Sequence, residues 1–332
     1  MSRMAFGGWI ALSALLLGQQ VSADPAPFAT RNQSPVARLF GVPTAENALP
    51  SDAPGFRAAV ALDTANQSHQ NVDGNRELVL DGETWTLRSE IRHEWANGWR
   101  LAMEIPYVVH WGGVWDRIIM EYHDVMNLPQ GNRKFRSTGR VDYSYREGSR
   151  MHFATDESTA GLGDVRLSVA IPLAINVPRT RGAYSMAGIE LPTGDPDDLL
   201  GSGSTDVRLG LAASDRATLS RWGMDLHASG GMLAMTTGEV LPDHQKHLAA
   251  YGSASLGWRM TPRLHPRVQL DWHSPIFSGT GMKPLDSWAV ELVVGGRIRL
   301  PGGFRLDVAF AEDLNVSASP DITFHFRLEK QM

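Results

Sequence analysis

The sequence predicts an all-β protein, an antiparallel transmembrane β-barrel of about twelve strands with one long loop carrying a short helix. Three observations predict it. From Gly55 onward the dominant pattern is alternation of apolar and polar residues, the two-residue period of a strand with unlike faces. The connections alternate in length, short then long, as in outer-membrane barrels. Aromatic residues on the apolar face gather at two levels, bracketing an aliphatic band.

The 332 residues contain no cysteine and carry a net charge of −5. Residues 1–23 read as a cleaved secretory leader: Arg3, an apolar run from Ala5 to Leu17, then the small residues Val21-Ser22-Ala23 before Asp24-Pro25. That run is shorter than the about 20 residues a spanning helix needs. An acidic balance with no basic patch offers nucleic acid no footprint. Without a disulfide framework, stability must come from hydrogen bonding and packing. A closed sheet is the way such a chain enters lipid with every backbone polar group paired.

Residues 24–54, rich in Pro, Ala and Asn, form an irregular N-terminal segment. Its apolar cluster Val36, Leu39, Phe40 and Val42 suits a plug docked against or inside the barrel. The barrel follows over 55–332. Strands are expected near 55–65, 77–95, 98–110, 163–175, 182–192, 205–214, 221–234, 247–259, 264–274, 286–299, 304–312 and 319–328. Trp99, Leu101, Met103, Ile105, Tyr107 and Val109 alternate with Arg100, Ala102, Glu104 and Pro106; Phe304, Leu306, Val308 and Phe310 alternate with Arg305, Asp307 and Ala309. Short turns are expected at Ala96-Asn97-Gly98 and Pro301-Gly302-Gly303, among others. Long loops are expected at 66–76, 111–162, 193–204, 235–246, 275–285 and 313–318. With an even strand count both ends fall on the short-turn, periplasmic side.

A soluble β-sandwich would also alternate. Against it stand the aromatic levels, with Phe56, Trp95, Trp99, Trp222, Trp258, Phe304 and Phe326 in one set and Tyr107, Trp111, Trp272, Trp288 and Phe310 in the other. Against it too stands the charge on the other face: Arg88, Glu90, Arg92 and Glu94 share one strand, and a dry core would penalise them by several kcal/mol per ion. A wet lumen removes that cost.

The segment Trp111-Gly112-Gly113-Val114-Trp115-Asp116-Arg117-Ile118-Ile119-Met120-Glu121-Tyr122-His123-Asp124 resembles the first long loop of an uncharacterised family of Gram-negative outer-membrane barrels catalogued as a domain of unknown function. Arg31-Asn32-Gln33-Ser34-Pro35 with Leu39-Phe40-Gly41-Val42-Pro43 resembles its N-terminal motif, and Leu80-Asp81-Gly82-Glu83-Thr84 its second-strand motif. A looser similarity, to barrels of aromatic-degradation pathways, rests on Gly161-Leu162-Gly163-Asp164, on Leu191-Pro192-Thr193-Gly194-Asp195 and on Gly201-Ser202-Gly203. The resemblance implies fold and no particular activity. One departure stands out: the chain runs past Phe326 to Met332, whereas such barrels finish on an aromatic residue.

No enzyme is expected. Asp225, His227 and Ser229 share one face of a strand, but i and i+2 lie roughly 7 Å apart, too far for a nucleophile to bond its base. His244 and His247 share a loop, yet two ligands are not a metal site, and no cofactor is expected. Asp195, Asp197 and Asp198 form an acidic loop, either solvated or open to a divalent cation. Apolar residues at helical spacing from Val114 to Met126 predict the helix in the long loop. That helix either constricts the lumen, through Trp115, Asp116, Glu121, His123 and Asp124, or shields the rim. Inward arginines gather at the short-turn end: Arg57, Arg92, Arg100, Arg259, Arg267, Arg299, Arg305 and Arg327. Such a ring either selects anions or is neutralised by acids and the N-terminal segment. The expected role is a channel or passive transporter for an unspecified small solute. The alternatives are a structural or interaction barrel with a closed lumen and, behind it, a lipid- or lipopolysaccharide-modifying enzyme. The expected partners are outer-membrane lipid and lipopolysaccharide, and the barrel-assembly machinery that inserts it.

Overall fold

The structure is a computed structural model that describes residues 26–115, 139–315 and 318–332. The expected leader lies outside the described residues, as does the expected loop helix beyond Trp115. Strands β1 (Gly55–Asp73), β2 (Arg76–Glu94) and β3 (Arg100–Trp111) open the sheet. Three short strands follow within the expected long loop: β4 (Asp142–Glu147), β5 (Arg150–Thr155) and β6 (Thr159–Leu162). The sheet then continues as β7 (Val165–Ile175), β8 (Arg181–Leu191), β9 (Asp206–Asp215), β10 (Met224–Met235), β11 (Leu248–Trp258), β12 (Leu264–His273), β13 (Ala289–Arg299), β14 (Phe304–Asp313) and β15 (Ile322–Gln331).

Every pairing is antiparallel, and β15 returns to β1 from Arg57↔Gln331 to Asn66↔Ile322, closing a barrel of twelve strands, β1 to β3 and β7 to β15. Closure leaves the twelve barrel strands without an open edge. The residues beyond Phe326 are strand, since Leu328, Lys330 and Gln331 all pair with β1. The turn after β2 is a three-residue loop: Trp95 bonds Trp99, and Gly98 sits at φ 85° in the left-handed region. Phe56, Trp95, Trp99, Trp222 and Trp258 are exposed on the outer face toward the short turns, and Tyr107, Trp288 and Phe310 toward the long loops.

The loop expected over 66–76 is strand instead. β1 and β2 pair from Gly55↔Glu94 to Asp73↔Arg76, so their ribbon continues beyond the barrel. The continuation, Asn66 to Asp73, is polar on both faces apart from Val72, which removes the alternation while the ladder persists. β4 pairs with its other side, Arg76↔Glu147 to Asp81↔Asp142, and β5 pairs with β4. This hairpin forms a lid over the long-loop mouth. Leu78, Leu80, Tyr143 and Tyr145 from the lid pack with Leu241, Ile276, Phe277 and Leu285 from the facing connections.

Candidate functional site

The lumen is filled from within. Residues 26–54 start near the short-turn end, rise to the lid, turn over 35–40 and descend again to β1. At the apex Val36, Leu39, Phe40 and Val42 join the apolar cluster under the lid, and Phe40 meets Phe277 edge-on at 5.6 Å. Below the apex Phe28 packs on Val293, Ala309 and Ala311 and Ala48 on Ala170, Tyr184 and Ala212, and the other contacts are mostly polar. Phe28 N–H donates to Gln269 Oε1 (2.9 Å), Thr30 to Asp271 (2.6 Å), Gly41 N–H to Asp206 (2.7 Å), Ala48 N–H to Ser214 (2.8 Å) and Ser51 N–H to Glu94 (2.6 Å). A plug chain without secondary structure must satisfy its backbone groups somewhere, and inward side chains of the wall do so.

The hub of this network is Glu104 on β3. Arg31 of the plug donates to both of its oxygens (2.8 and 2.9 Å), while Arg88 (3.1 Å) and Arg166 (3.3 Å) approach from the wall. Arg88 continues to Asp63 (2.8 Å), which also meets His325 (2.6 Å), and Arg166 continues to Glu190. All of these side chains are buried. Pairing, with the plug, meets the desolvation cost that a wet lumen was expected to remove.

The eight arginines keep the short-turn end but are not a bare ring. Arg57 reaches Ser51 and Glu329; Arg92 bonds Glu46 (3.1 Å) of the plug; Arg100 holds Glu94 and the plug carbonyls of Asn47 and Leu49. Arg305 (2.7 Å) and Arg327 (2.6 Å) share Glu329, and Arg267 bonds Asp225 (2.6 Å). Arg259 donates to the Gly223 carbonyl in its turn, and the Arg299 backbone N–H to Arg263. Arg57, Arg92, Arg100 and Arg327 border one small cavity with Glu46, Glu94 and Glu329.

Of the expected loop constriction, Asp116, Glu121, His123 and Asp124 lie outside the described residues. Trp115 is not in the lumen: its ring packs 4.5 Å from Phe324, whose strand parity points outward. The reason is Glu83. This buried carboxylate accepts from Trp85 Nε1 (2.9 Å) and from the N–H groups of Val114 (2.7 Å) and Trp115, so the chain folds over it. Gly113 sits at φ 72°, and a Cβ there would lie 1.9 Å from the Glu83 carboxyl carbon. Two motifs distant in sequence are thus one contact.

The glycine-rich motifs also converge. Asp164 accepts the N–H groups of Thr193 (2.9 Å), Gly194 (2.8 Å) and Ser202 (2.8 Å), which clasps the β8–β9 connection to the start of β7.

Sequence spacing missed one hydrogen-bonded chain. Ser214 of β9 lies opposite His227 of β10, with Oγ 2.7 Å from Nδ1, while His227 Nε2 donates to Asp225 (3.0 Å). The contact crosses strands, so the spacing of Asp225, His227 and Ser229 could not show it. Ser214 Oγ also accepts the Ala48 N–H and lies 3.2 Å from Asn47 Oδ1, so the plug covers this hydroxyl. The chain anchors the descending arm of the plug.

That arm has little clearance. A Cβ on Gly182 of β8 would lie 2.0 Å from the Ala48 carbonyl oxygen. Gly182→Ala should push the arm off the wall at a cost of about 1–3 kcal/mol, the range for overpacking. Since the protein has no cysteine, Thr44→Cys gives a clean readout. It should react faster with a small thiol reagent when Gly182→Ala is added, and an unchanged rate would show that the arm does not depend on this contact.

A hollow of about 940 Å³ borders Leu226, Ala228, Ala254, Leu256, Val268 and Leu270. These point outward, so it is a trough in the lipid-facing wall and not part of the lumen. Smaller polar hollows of about 50, 50 and 20 Å³ lie between plug and wall.

No curated protein matches the chain. Among solved structures it is similar to the COG4313 outer membrane channel from Pseudomonas putida F1, at TM-score 0.54 and 13% identity over 85% of this chain and 97% of that one. The NanC porin follows at TM-score 0.47 and 8% identity, over 83% of this chain and 100% of that one. The Ralstonia pickettii toluene transporter TbuX gives 0.43 and 9%, over 91% and 98%. The first shares the fold of an outer-membrane barrel. The family described as a protein of unknown function, DUF3187, matches residues 10–332, and the chain belongs to it.

Proposed function

We propose that this protein is a passive outer-membrane channel for small polar solutes, closed at rest by residues 26–54. The observation that carries this reading is the interface between plug and wall. It is bonded largely through polar and charged groups and is broken by three polar hollows spaced from the short-turn end to the middle of the lumen and toward the lid. Such an interface can be rewetted at low cost, because each net hydrogen bond exchanged for water is worth only about 0.5–1.5 kcal/mol. Charges of both signs line the path, which suits polar rather than apolar cargo. The outer aromatic levels suit lipid and lipopolysaccharide at the two interfaces. Insertion by the barrel-assembly machinery after removal of the leader fits the same reading.

A closed structural barrel is the second reading, favoured by the apolar cluster that seals the long-loop mouth. Planar-bilayer recording separates the two. The complete mature protein should show brief openings from a closed baseline, and Gly182→Ala should lengthen them. Silence from both proteins would overturn the channel and leave the closed barrel.

A further inference from the structure

Three side chains meet where the lid touches the facing connections. Glu147 ends β4, His152 lies on β5, and His244 lies in the connection between β10 and β11. Their ligand atoms all lie within 4.8 Å of one another, the only such group of three among the described residues. Both imidazole Nε2 atoms stand 3.8 Å from the same oxygen, Glu147 Oε2.

The surroundings prepare this cluster. Arg76 donates to Glu147 Oε1 (2.8 Å), leaving Oε2 to face the histidines, and that bond holds the Glu147 pKa below the ordinary carboxylate value. His244 Nδ1 lies 3.3 Å from the Ser278 carbonyl, the contact that places the proton on Nδ1 and a lone pair on Nε2. The His152 side chain is only 3% exposed, yet its Nε2 makes no hydrogen bond. A buried imidazole nitrogen without a hydrogen bond, aimed at a carboxylate and a second imidazole, is a costly arrangement without a ligand. The Tyr145 ring packs against both imidazoles, at 5.2 and 6.1 Å, and its hydroxyl donates to Thr280 (2.9 Å), so the platform is rigid.

We propose that Glu147, His152 and His244 bind one divalent transition metal of the zinc class, which latches the lid hairpin to the β10–β11 connection. Two imidazoles and one carboxylate suit such a cation better than magnesium or calcium, which take oxygen ligands. Bonds of about 2.0–2.2 Å to nitrogen and oxygen set neighbouring ligand atoms about 3.4 Å apart in a tetrahedron. The two separations of 3.8 Å to Glu147 therefore need to close by about 0.4 Å and the remaining one, within 4.8 Å, by at most about 1.4 Å, and the fourth position stays open to water. Glu147 and His152 come from one side of the mouth and His244 from the other, so the metal is a cross-link. His247, the neighbour that sequence spacing pairs with His244, instead lies 3.1 Å from the Met235 carbonyl through Nδ1.

The test uses the mature protein without a histidine tag, folded in detergent. Titrated Co²⁺ should give a saturable visible absorption band at one metal per barrel, and Zn²⁺ should abolish it. His152→Ala and His244→Ala should each weaken binding at least about tenfold, in line with the loss of a ligand. His247→Ala should leave it unchanged. Heat-modifiable migration on gels confirms that each variant is folded. No saturable band, or equal affinity in the His152→Ala/His244→Ala double variant, overturns the site. Hydrogen exchange tests the latch: Zn²⁺ should slow exchange across β4 and β5, and unaltered exchange with metal bound overturns that part.

Discussion

Removing residues 26–50 from the mature chain should turn brief openings into sustained current, raising mean current at least about tenfold, the factor set by a shift of only 1.4 kcal/mol. Two considerations support an effect of this size. The deletion removes the apolar apex beneath the lid together with every plug bond from Phe28 to Leu49. It also spares the barrel, because all twelve barrel strands lie within Gly55–Gln331. Most wall charges keep a wall partner: Arg88 keeps Asp63, Arg100 keeps Glu94 and Arg166 keeps Glu190. The truncated protein should therefore still migrate as a heat-modifiable barrel.

Its selectivity should change as well. Arg92 loses Glu46, so positive charge at the short-turn end becomes less compensated. An anion preference should appear, stronger at low salt, where the Debye length is about 30 Å rather than about 8 Å. Replacing Arg100, Arg305 and Arg327 by Gln in the truncated protein should move the reversal potential toward cations. A truncated barrel that is folded but silent would sink the plug, and an unmoved reversal potential would show that these arginines stay neutralised by Glu94, Glu90 and Glu329.

Glu104→Ala should be the most destabilising single substitution in the lumen, by about 3–5 kcal/mol, the cost of leaving buried charge without its partner. Three guanidiniums converge on this buried carboxylate, and its removal leaves them facing one another. Arg31→Ala should cost less, since Glu104 keeps Arg88 and Arg166. Denaturant midpoints in detergent measure both, and the double variant measures their coupling. A loss below about 1 kcal/mol for Glu104→Ala, the range of an exposed pair, would mean that the lumen is wetter than the structure shows. The same variant should speed thiol labelling at Thr44→Cys, because Arg31 holds the rising arm of the plug to the wall.

What was legible in the sequence was whatever lipid and the strand period impose locally. The barrel, its even strand count, the short turns and the outer aromatics all follow from side chains that must meet hydrocarbon on one side only. That rule stops where the lipid stops. Above the membrane the ribbon of β1 and β2 keeps its ladder without alternation, so Asn66 to Asp73 read as loop. The β4–β5 hairpin was hidden for a different reason: its strands are only six residues each, shorter than a membrane crossing, although Tyr143 and Tyr145 alternate with Asp142, Ser144 and Arg146.

The apolar cluster Val36, Leu39, Phe40 and Val42 announced a docked segment, because apolar residues in a polar stretch need cover. Where each of its neighbours bonds was not legible. Gly41 meets Asp206, Thr30 meets Asp271 and Ala48 meets Ser214 across separations of 165, 241 and 166 residues. Closure of the sheet and the path of the plug through it decide such meetings, since together they set remote segments face to face within a lumen a few side chains wide. The pairing of the arginines, the Ser214–His227 contact across two strands and the cluster of Glu147, His152 and His244 belong to the same class. Residue types and spacing determined that this chain is a barrel with charge inside. Only the tertiary structure decided which charges meet, because a hydrogen bond or a metal ligand depends on distances of a few ångströms between chain segments that sequence order does not relate.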